Sequence, residues 1–121
     1  MAISRILVVD DSPTERFFLS ELLVKNGYLV SMAESGEEAV AQAKQTLPDL
    51  IVMDVVMPGM NGYQATRMIT KEEATKHIPV IMCTTKGQET DKVWGMRQGA
   101  KAYLVKPIKP DDLLSQIKAL G

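Results

Sequence analysis

The 121-residue sequence lacks the features that typify secreted and membrane proteins. Its single cysteine, Cys83, has no partner for a disulfide within the chain, and its place at the end of an apolar run predicts a small buried residue. The apolar run near the start, Ile6 to Val9, is too short for a signal-peptide core or a membrane span. We therefore expect a cytoplasmic protein with no membrane contact.

Aromatic residues and blocks of like charge are also scarce. Phe, Trp and Tyr make up 5% of the residues, which leaves few rings on which nucleic-acid bases could stack. The formal net charge is −1, and the basic residues form no long run that would attract a polyanion. These two properties argue against a nucleic-acid partner.

Length and overall composition are those of an ordinary soluble globule. Hydrophobic residues account for 45% of the chain and charged residues for 24%, and 121 residues are enough to bury one core. We expect a single domain over residues 1–121, without room for a separate output domain.

Short apolar runs alternate five times with longer amphipathic stretches, which indicates a βα repeat and a parallel sheet covered by helices on both faces. The runs predict strands near residues 5–10, 28–33, 49–53, 78–83 and 102–105, the second of which is suited to an edge. A helix-start signal follows each of these strands, after the longest loop for the third strand. These signals lie at Ser12, Ser35, Asn61 or Gly62, Gly87 and Pro110.

Three carboxylates follow two of the predicted strands. Asp10 and Asp11 end the first apolar run, and Asp54 ends the third. If those strands are neighbours in a parallel sheet, the acids meet at its carboxyl edge, where open α/β folds bind ligands. Their like charges require a cation, and carboxylate oxygens with water suit Mg²⁺. The pattern predicts phosphoryl chemistry at Asp54, because carboxylates can form acyl phosphates.

The fourth and fifth predicted strands end in polar residues of other types. Thr84 offers a hydroxyl that can donate to a phosphoryl oxygen, and Lys106 offers a compact positive charge. Each residue taken alone is typical of a strand end or a solvated surface. Together with the three acids they form a consistent site for phosphoryl transfer.

These residues and their spacing resemble a response-regulator receiver domain over essentially the full chain. The resemblance implies a doubly wound, flavodoxin-like three-layer sandwich with strand order 2-1-3-4-5. It also implies that Asp54 is the phosphoacceptor, Thr84 the switch hydroxyl, Tyr103 the switch aromatic and Lys106 the site lysine. Whether Tyr103 packs inward or points outward stays open.

The resemblance further implies a Mg²⁺ ligand set. Asp11, Asp54 and the backbone carbonyl of Val56 would bind the ion, and Asp10 would act largely through water. A cis peptide between Lys106 and Pro107 is also implied.

Loop and helix residues narrow the resemblance to the PilH-type regulators of type IV pilus twitching motility. The matching segments are 12–14, 57–62 and 84–95. The phosphoryl chemistry would be the same in a chemotaxis regulator, so the pathway stays open. Trp94 in the last segment suits either a partner surface or simple packing.

The expected function is a stand-alone switch rather than an enzyme acting on other molecules. A phosphohistidine of a histidine kinase or phosphotransfer domain would supply the phosphoryl group. The fourth helix, fifth strand and fifth helix would then bind a motor or pilus protein. One alternative is a phosphate sink for a shared kinase. The other is a Mg²⁺-dependent phosphatase, which would need an acid where Val56 stands and a substrate-covering cap.

Overall fold

A computed structural model describes residues 2–121 and contains five strands alternating with five helices. All the strand pairs are parallel, and the sheet order is β2-β1-β3-β4-β5. The doubly wound fold and its strand order are thus confirmed, with β2 at an edge. The elements are β1 Arg5–Val9, α1 Pro13–Lys25, β2 Leu29–Ala33, α2 Gly36–Thr46, β3 Leu50–Met53, α3 Gly62–Lys71, β4 Val80–Thr84, α4 Glu89–Arg97, β5 Ala102–Val105 and α5 Pro110–Leu120.

Alternate strand residues build a core on each face of the sheet, because successive side chains of a strand point to opposite sides. On one face, Leu7 and Ile51 belong to the same buried cluster as Ala39 of α2 and Ile69 of α3. The other face has a second cluster, which contains strand residues together with residues of α1 and α5. Its members include Ile6, Val8, Val52, Cys83, Leu19, Leu23, Leu113 and Ile117.

Side-chain caps begin the helices beside the carboxyl edge of the sheet. The Ser12 hydroxyl accepts from the Glu15 N–H at 3.3 Å, and the Ser35 hydroxyl accepts from the Glu38 N–H at 3.1 Å. Asn61 forms a reciprocal capping box with Gln64 at the start of α3. The predicted starts of these three helices are therefore correct.

Two expectations about the elements need correction. The fourth strand runs from Val80 to Thr84 rather than over 78–83, because the Ile78 N–H bonds back to the Thr75 carbonyl in a turn and Pro79 has no N–H. The eight methionines are spaced as core-facing residues, which predicts that they fill gaps in the core, but Met32, Met68 and Met96 are about half exposed. Sequence spacing alone did not separate the buried methionines from those on helix and edge-strand surfaces.

Cys83 is buried in β4, and burial raises the pKa of its thiol to about 12. The thiolate is the reactive form, so both access and ionisation oppose alkylation. We expect the native protein to react with iodoacetamide at pH 8 at least about a thousandfold more slowly than the unfolded chain, since reaction requires opening of the core. Mass spectrometry of the labelled protein measures this. Equal rates in buffer and in denaturant would contradict the buried position.

Candidate functional site

Two neighbouring strands bring the three acids together. Val9 pairs with Met53 in the sheet, so the residues that follow them, Asp10 and Asp54, are side by side. One carboxylate oxygen from each of Asp10, Asp11 and Asp54 lies within 4.8 Å of the others. Asp10 and Asp54 are buried, whereas Asp11 is exposed. The acids therefore form one cluster that is open to solvent on one side.

Lys106 places its ammonium group inside this cluster. Its Nζ lies 2.7 Å from Asp10 Oδ2 and 3.6 Å from Asp54 Oδ2. The Lys106–Pro107 peptide is cis, as the family resemblance implies. Besides Asp10 and Asp54, Glu15 also approaches this ammonium group, with a carboxylate oxygen 3.9 Å from Nζ. The sequence signal for this contact is an acid in the first helical turn after the acid pair.

Arg16 is a second residue of this site that the sequence did not reveal. Its Nη1 donates to the backbone carbonyl of Asp10 at 2.7 Å, and its Nη2 lies 3.2 Å from a Glu34 carboxylate oxygen. The guanidinium group is largely buried, with 13% of the side chain exposed. Arg16 thus holds the loop that carries the acid pair, without pointing a charge at the carboxylates themselves.

The electrostatics of the cluster favour binding of a further cation. Burial and the neighbouring Asp10 carboxylate raise the pKa of Asp54, although Lys106 and the Val55 N–H act in the opposite direction. Burial acts to lower the pKa of Lys106, but the hydrogen bond to Asp10 and the Asp54 charge outweigh it, so that this pKa is raised. The single ammonium group does not neutralise three acids. Oxygen donors with uncompensated negative charge are a donor set that fits Mg²⁺.

Thr84 ends β4 beside this cluster. The residue is fully buried, and its hydroxyl accepts from the Lys86 N–H at 3.3 Å. Met53 pairs with Met82 in the neighbouring strand, so Thr84 and Asp54 both lie at the carboxyl ends of adjacent strands. A hydrogen bond from the Thr84 side chain acts to lower the pKa of Asp54. The predicted site residues at the ends of β1, β3, β4 and β5 are therefore brought together.

Tyr103 packs against the domain, which answers the question that the sequence left open. Its hydroxyl donates to the Lys86 backbone carbonyl at 2.7 Å and lies 3.2 Å from the Tyr63 hydroxyl. The ring packs against a small cluster that includes Val55 and Met82. No sequence pattern indicated the Tyr63 contact, because the two tyrosines are 40 residues apart.

Gly95 of α4 makes room for the Tyr103 ring. A glycine inside a helix costs about 1 kcal/mol relative to alanine, so a structural reason is expected. A Cβ atom at Gly95 would lie 2.7 Å from Tyr103 Cδ2 and 2.9 Å from the sulfur of Met82. The missing side chain allows α4 and the aromatic ring to approach closely.

Two further residues border the site from the solvent side. Val56 is 55% exposed, and together with Lys86 it lines a shallow pocket beside Tyr63. The Lys86 ammonium group lies 3.8 Å from an Asp91 carboxylate oxygen, with 43% of its side chain exposed. Lys86 is thus directed towards α4 rather than left without a partner.

Trp94 lies on the outer face of α4 and is 50% exposed. Val93 and Met96 are also exposed there, which gives this helix an apolar surface. His77 is exposed in the turn before β4, at the amino end of the strands and far along the sheet from the acids. No helix in residues 2–121 has the length and apolarity needed to cross a lipid bilayer.

Comparison with known proteins shows the family of this chain. The model of the response regulator receiver domain matches residues 6–118. The chain belongs to this family. It is 56% identical to the protein PilH of Pseudomonas aeruginosa over 117 residues, which are 97% of either chain.

Solved structures of related domains have the same fold. Vibrio cholerae chemotaxis protein CheY4 is 35% identical, with a TM-score of 0.91 and coverage of 99% of this chain and 100% of that one. The receiver domain of the Pseudomonas aeruginosa sensor histidine kinase PA1611 is 31% identical, with a TM-score of 0.90 and coverage of 98% of both chains. That structure has a magnesium ion coordinated in its active-site cleft.

Membership of the family determines the general function. The chain is a two-component response regulator, and such proteins are typically signalling proteins rather than enzymes. Receiver domains interact with histidine kinases and with downstream targets. Position 56, where a metal-dependent phosphatase of the kind considered above would need an acid, is a valine.

Proposed function

We propose that Asp54 accepts a phosphoryl group from the phosphohistidine of a histidine kinase or phosphotransfer domain. An Asp54 carboxylate oxygen attacks phosphorus, the bond between phosphorus and the imidazole nitrogen breaks, and the imidazole leaves with the bonding electrons. The observation that carries the proposal is the cluster of Asp10, Asp11 and Asp54, in which Asp10 and Asp54 contact the Lys106 ammonium group. Phosphoryl transfer depends mostly on such positioning and charge neutralisation.

The residues around Asp54 orient it for this attack. The Val55 N–H donates to Asp54 Oδ1 at 2.7 Å, and Lys106 lies near Oδ2, so the two oxygens have different surroundings. Both contacts favour the charged carboxylate, which is the nucleophilic form. Mg²⁺, when bound, would neutralise charge on the phosphoryl oxygens. We propose Asp11, Asp54 and the Val56 carbonyl as its ligands, with Asp10 acting largely through water.

The output is proposed to be protein binding by a stand-alone cytoplasmic domain. An aspartyl phosphate adds negative charge and acceptor oxygens, which attract the Thr84 hydroxyl and Lys106. Tyr103 carries the change to the face of α4, β5 and α5, where the exposed surface around Trp94 would contact a pilus or motor protein. The 56% identity to PilH supports a role in type IV pilus twitching motility. A phosphate sink is the alternative.

Acetyl phosphate tests the proposed chemistry directly. With Mg²⁺ it should transfer one phosphoryl group to the protein, and hydroxylamine should remove that group because it cleaves acyl phosphates. Intact-protein mass spectrometry measures both steps. A label that resists hydroxylamine, or no label with any phosphodonor, would contradict an aspartyl phosphate. Affinity capture with a beryllofluoride-treated sample then separates the two outputs, since a sink should gain no partner.

Asp11 provides a test of the metal ligands. We expect Asp11→Ala to weaken Mg²⁺ binding by at least about tenfold, because the ion loses an anionic oxygen ligand. Isothermal titration calorimetry measures the affinity. The matched control is Glu21→Ala, which removes one exposed acid from α1 and changes the net charge equally. Equal affinities of the two variants would show that Asp11 is not a ligand.

Val56 and Lys86 border the path of the water that would hydrolyse the aspartyl phosphate. An apolar Val56 cannot hydrogen-bond this water, and Lys86 can either shield the phosphate or steer solvent. We expect Val56→Asn combined with Lys86→Glu to change the dephosphorylation rate at least tenfold, a barrier change of about 1.4 kcal/mol. Decay of the purified phosphoprotein in Mg²⁺ measures it. Half-lives that match the parent protein would exclude both side chains from control of hydrolysis.

A further inference from the structure

The hydroxyls of Tyr63 and its neighbour Tyr103 make three oxygen–oxygen contacts within hydrogen-bond distance. Tyr63 lies 3.1 Å from the Asp91 backbone carbonyl, and Tyr103 lies 2.7 Å from the Lys86 carbonyl. The two hydroxyls are 3.2 Å apart. Each hydroxyl has one proton, so the two protons can serve only two of these three contacts at a time. The Tyr63 proton is therefore shared between α4 and Tyr103.

We propose that Tyr63 is a positioning residue whose hydroxyl proton alternates between Tyr103 and the first turn of α4. The Tyr63 hydroxyl donates either to the Asp91 carbonyl or to the Tyr103 oxygen. In the second arrangement the hydrogen bonds run from Tyr63 to Tyr103 to Lys86, and each strengthens the next. Movement of Tyr103 away from α3 would remove this arrangement and leave only the bond to Asp91.

The surroundings of the two tyrosines support this role. Tyr63 is 9% exposed and belongs to the cluster against which the Tyr103 ring packs, so its hydroxyl has little access to water. Gly95 allows the ring to lie close to α4. The Lys86 ammonium group also lies 3.8 Å from an Asp91 carboxylate oxygen. Residues 86 and 91 therefore contact each other through their side chains and contact the tyrosine hydroxyls through their backbone carbonyls.

The consequence for signalling rests on the proposed function of Asp54. If phosphorylation favours Tyr103 packed against Lys86, Tyr63 stabilises the phosphorylated conformation. By linkage, a residue that stabilises this conformation also raises the affinity for whatever occupies the phosphoryl site. Tyr63→Phe keeps the ring and removes only the hydroxyl. We expect it to weaken beryllofluoride binding in saturating Mg²⁺ by about threefold, the size of one neutral hydrogen bond.

The only tryptophan, Trp94 of α4, reports the binding through its fluorescence. A double-mutant cycle distinguishes positioning from a general loss of stability. Tyr63→Phe should weaken binding in the parent protein and have no effect in a Tyr103→Phe background. Tyr28→Phe is the matched control, because Tyr28 packs partly buried on the other face of the sheet. Equal effects of Tyr63→Phe in both backgrounds, or parent-like affinity, would overturn the proposal.

Amide hydrogen exchange decides the structural part without any phosphoryl analogue. We expect Tyr63→Phe to speed exchange in residues 86–92 by a similar factor, with α1 and α5 unchanged. Unchanged exchange in this segment would overturn the proposed bond to α4. If Tyr63→Phe changes exchange as expected but the parent protein does not bind beryllofluoride, the proposed phosphorylation of Asp54 is refuted and the role of Tyr63 is still supported.

Discussion

Asp54→Asn should reduce phosphorylation by acetyl phosphate by a factor of at least about 10³, because the amide cannot act as the nucleophile. The hydroxylamine-labile label measured by mass spectrometry should fall to background. Asparagine has almost the same shape as aspartate, so the loss does not require unfolding. Label retained at the level of the parent protein would assign the phosphoryl group to another residue.

The same variant should be more stable than the parent protein in EDTA at neutral pH. Burial and Asp10 raise the pKa of Asp54, so the folded protein binds this proton more tightly than the unfolded chain. The stabilisation of the folded protein by this proton is present at low pH and is lost as the pH rises through the raised pKa. Thermal unfolding should give a higher Tm for the variant at pH 7, and the difference should vanish below the ordinary value of 3.8. A lower Tm at pH 7 would contradict this origin of the raised pKa.

Gly62→Ala should destabilise the domain by about 3 kcal/mol, at the upper end of the usual cost of overpacking. A Cβ atom at Gly62 would overlap the Asp54 backbone carbonyl and lie 2.8 Å from the Val55 Cα. The Gly62 N–H donates to the Val55 carbonyl at 2.9 Å, so the start of α3 cannot move away without breaking this bond. Thermal unfolding should show a decrease in Tm of roughly 10 °C.

Gly27→Ala is the matched control for this substitution. Gly27 has a φ of +90° but open space where a Cβ would lie, so alanine there meets backbone strain without a clash. The expected cost is about 1–2 kcal/mol. A smaller loss of stability for Gly62→Ala than for Gly27→Ala would show that the close approach of α3 to Asp54 is not a constraint.

The phosphoryl site could be predicted from the sequence because its residues follow predicted strands. Asp10, Asp54, Thr84 and Lys106 each stand at or just after the end of an apolar run. Parallel strands place their carboxyl ends at one edge, so the pattern of runs was enough to place these residues on the same edge of the sheet. Family resemblance added the roles of the individual residues and the strand order.

Helix starts at this edge were also predictable, since capping is a local interaction. Each of the three capping side chains accepts a hydrogen bond from the backbone N–H three residues later, so the sequence alone shows both partners. The capping residues are Ser12, Ser35 and Asn61. The start of β4 was not. It depends on the turn in which the Ile78 N–H bonds to Thr75, and an apolar run gives no sign of that bond.

The sequence by itself therefore determined the fold class, the helix starts and the edge of the sheet that the acids share with the lysine, because apolar period and strand ends are local properties. Only the tertiary structure decided that Glu15 approaches Lys106, that Arg16 holds the Asp10 loop and that Tyr63 reaches Tyr103. The physical reason is that such contacts depend on how closely separate helices approach the sheet. That approach is set by packing at residues such as Gly62 and Gly95, where the missing side chain matters only once the neighbouring element is in place.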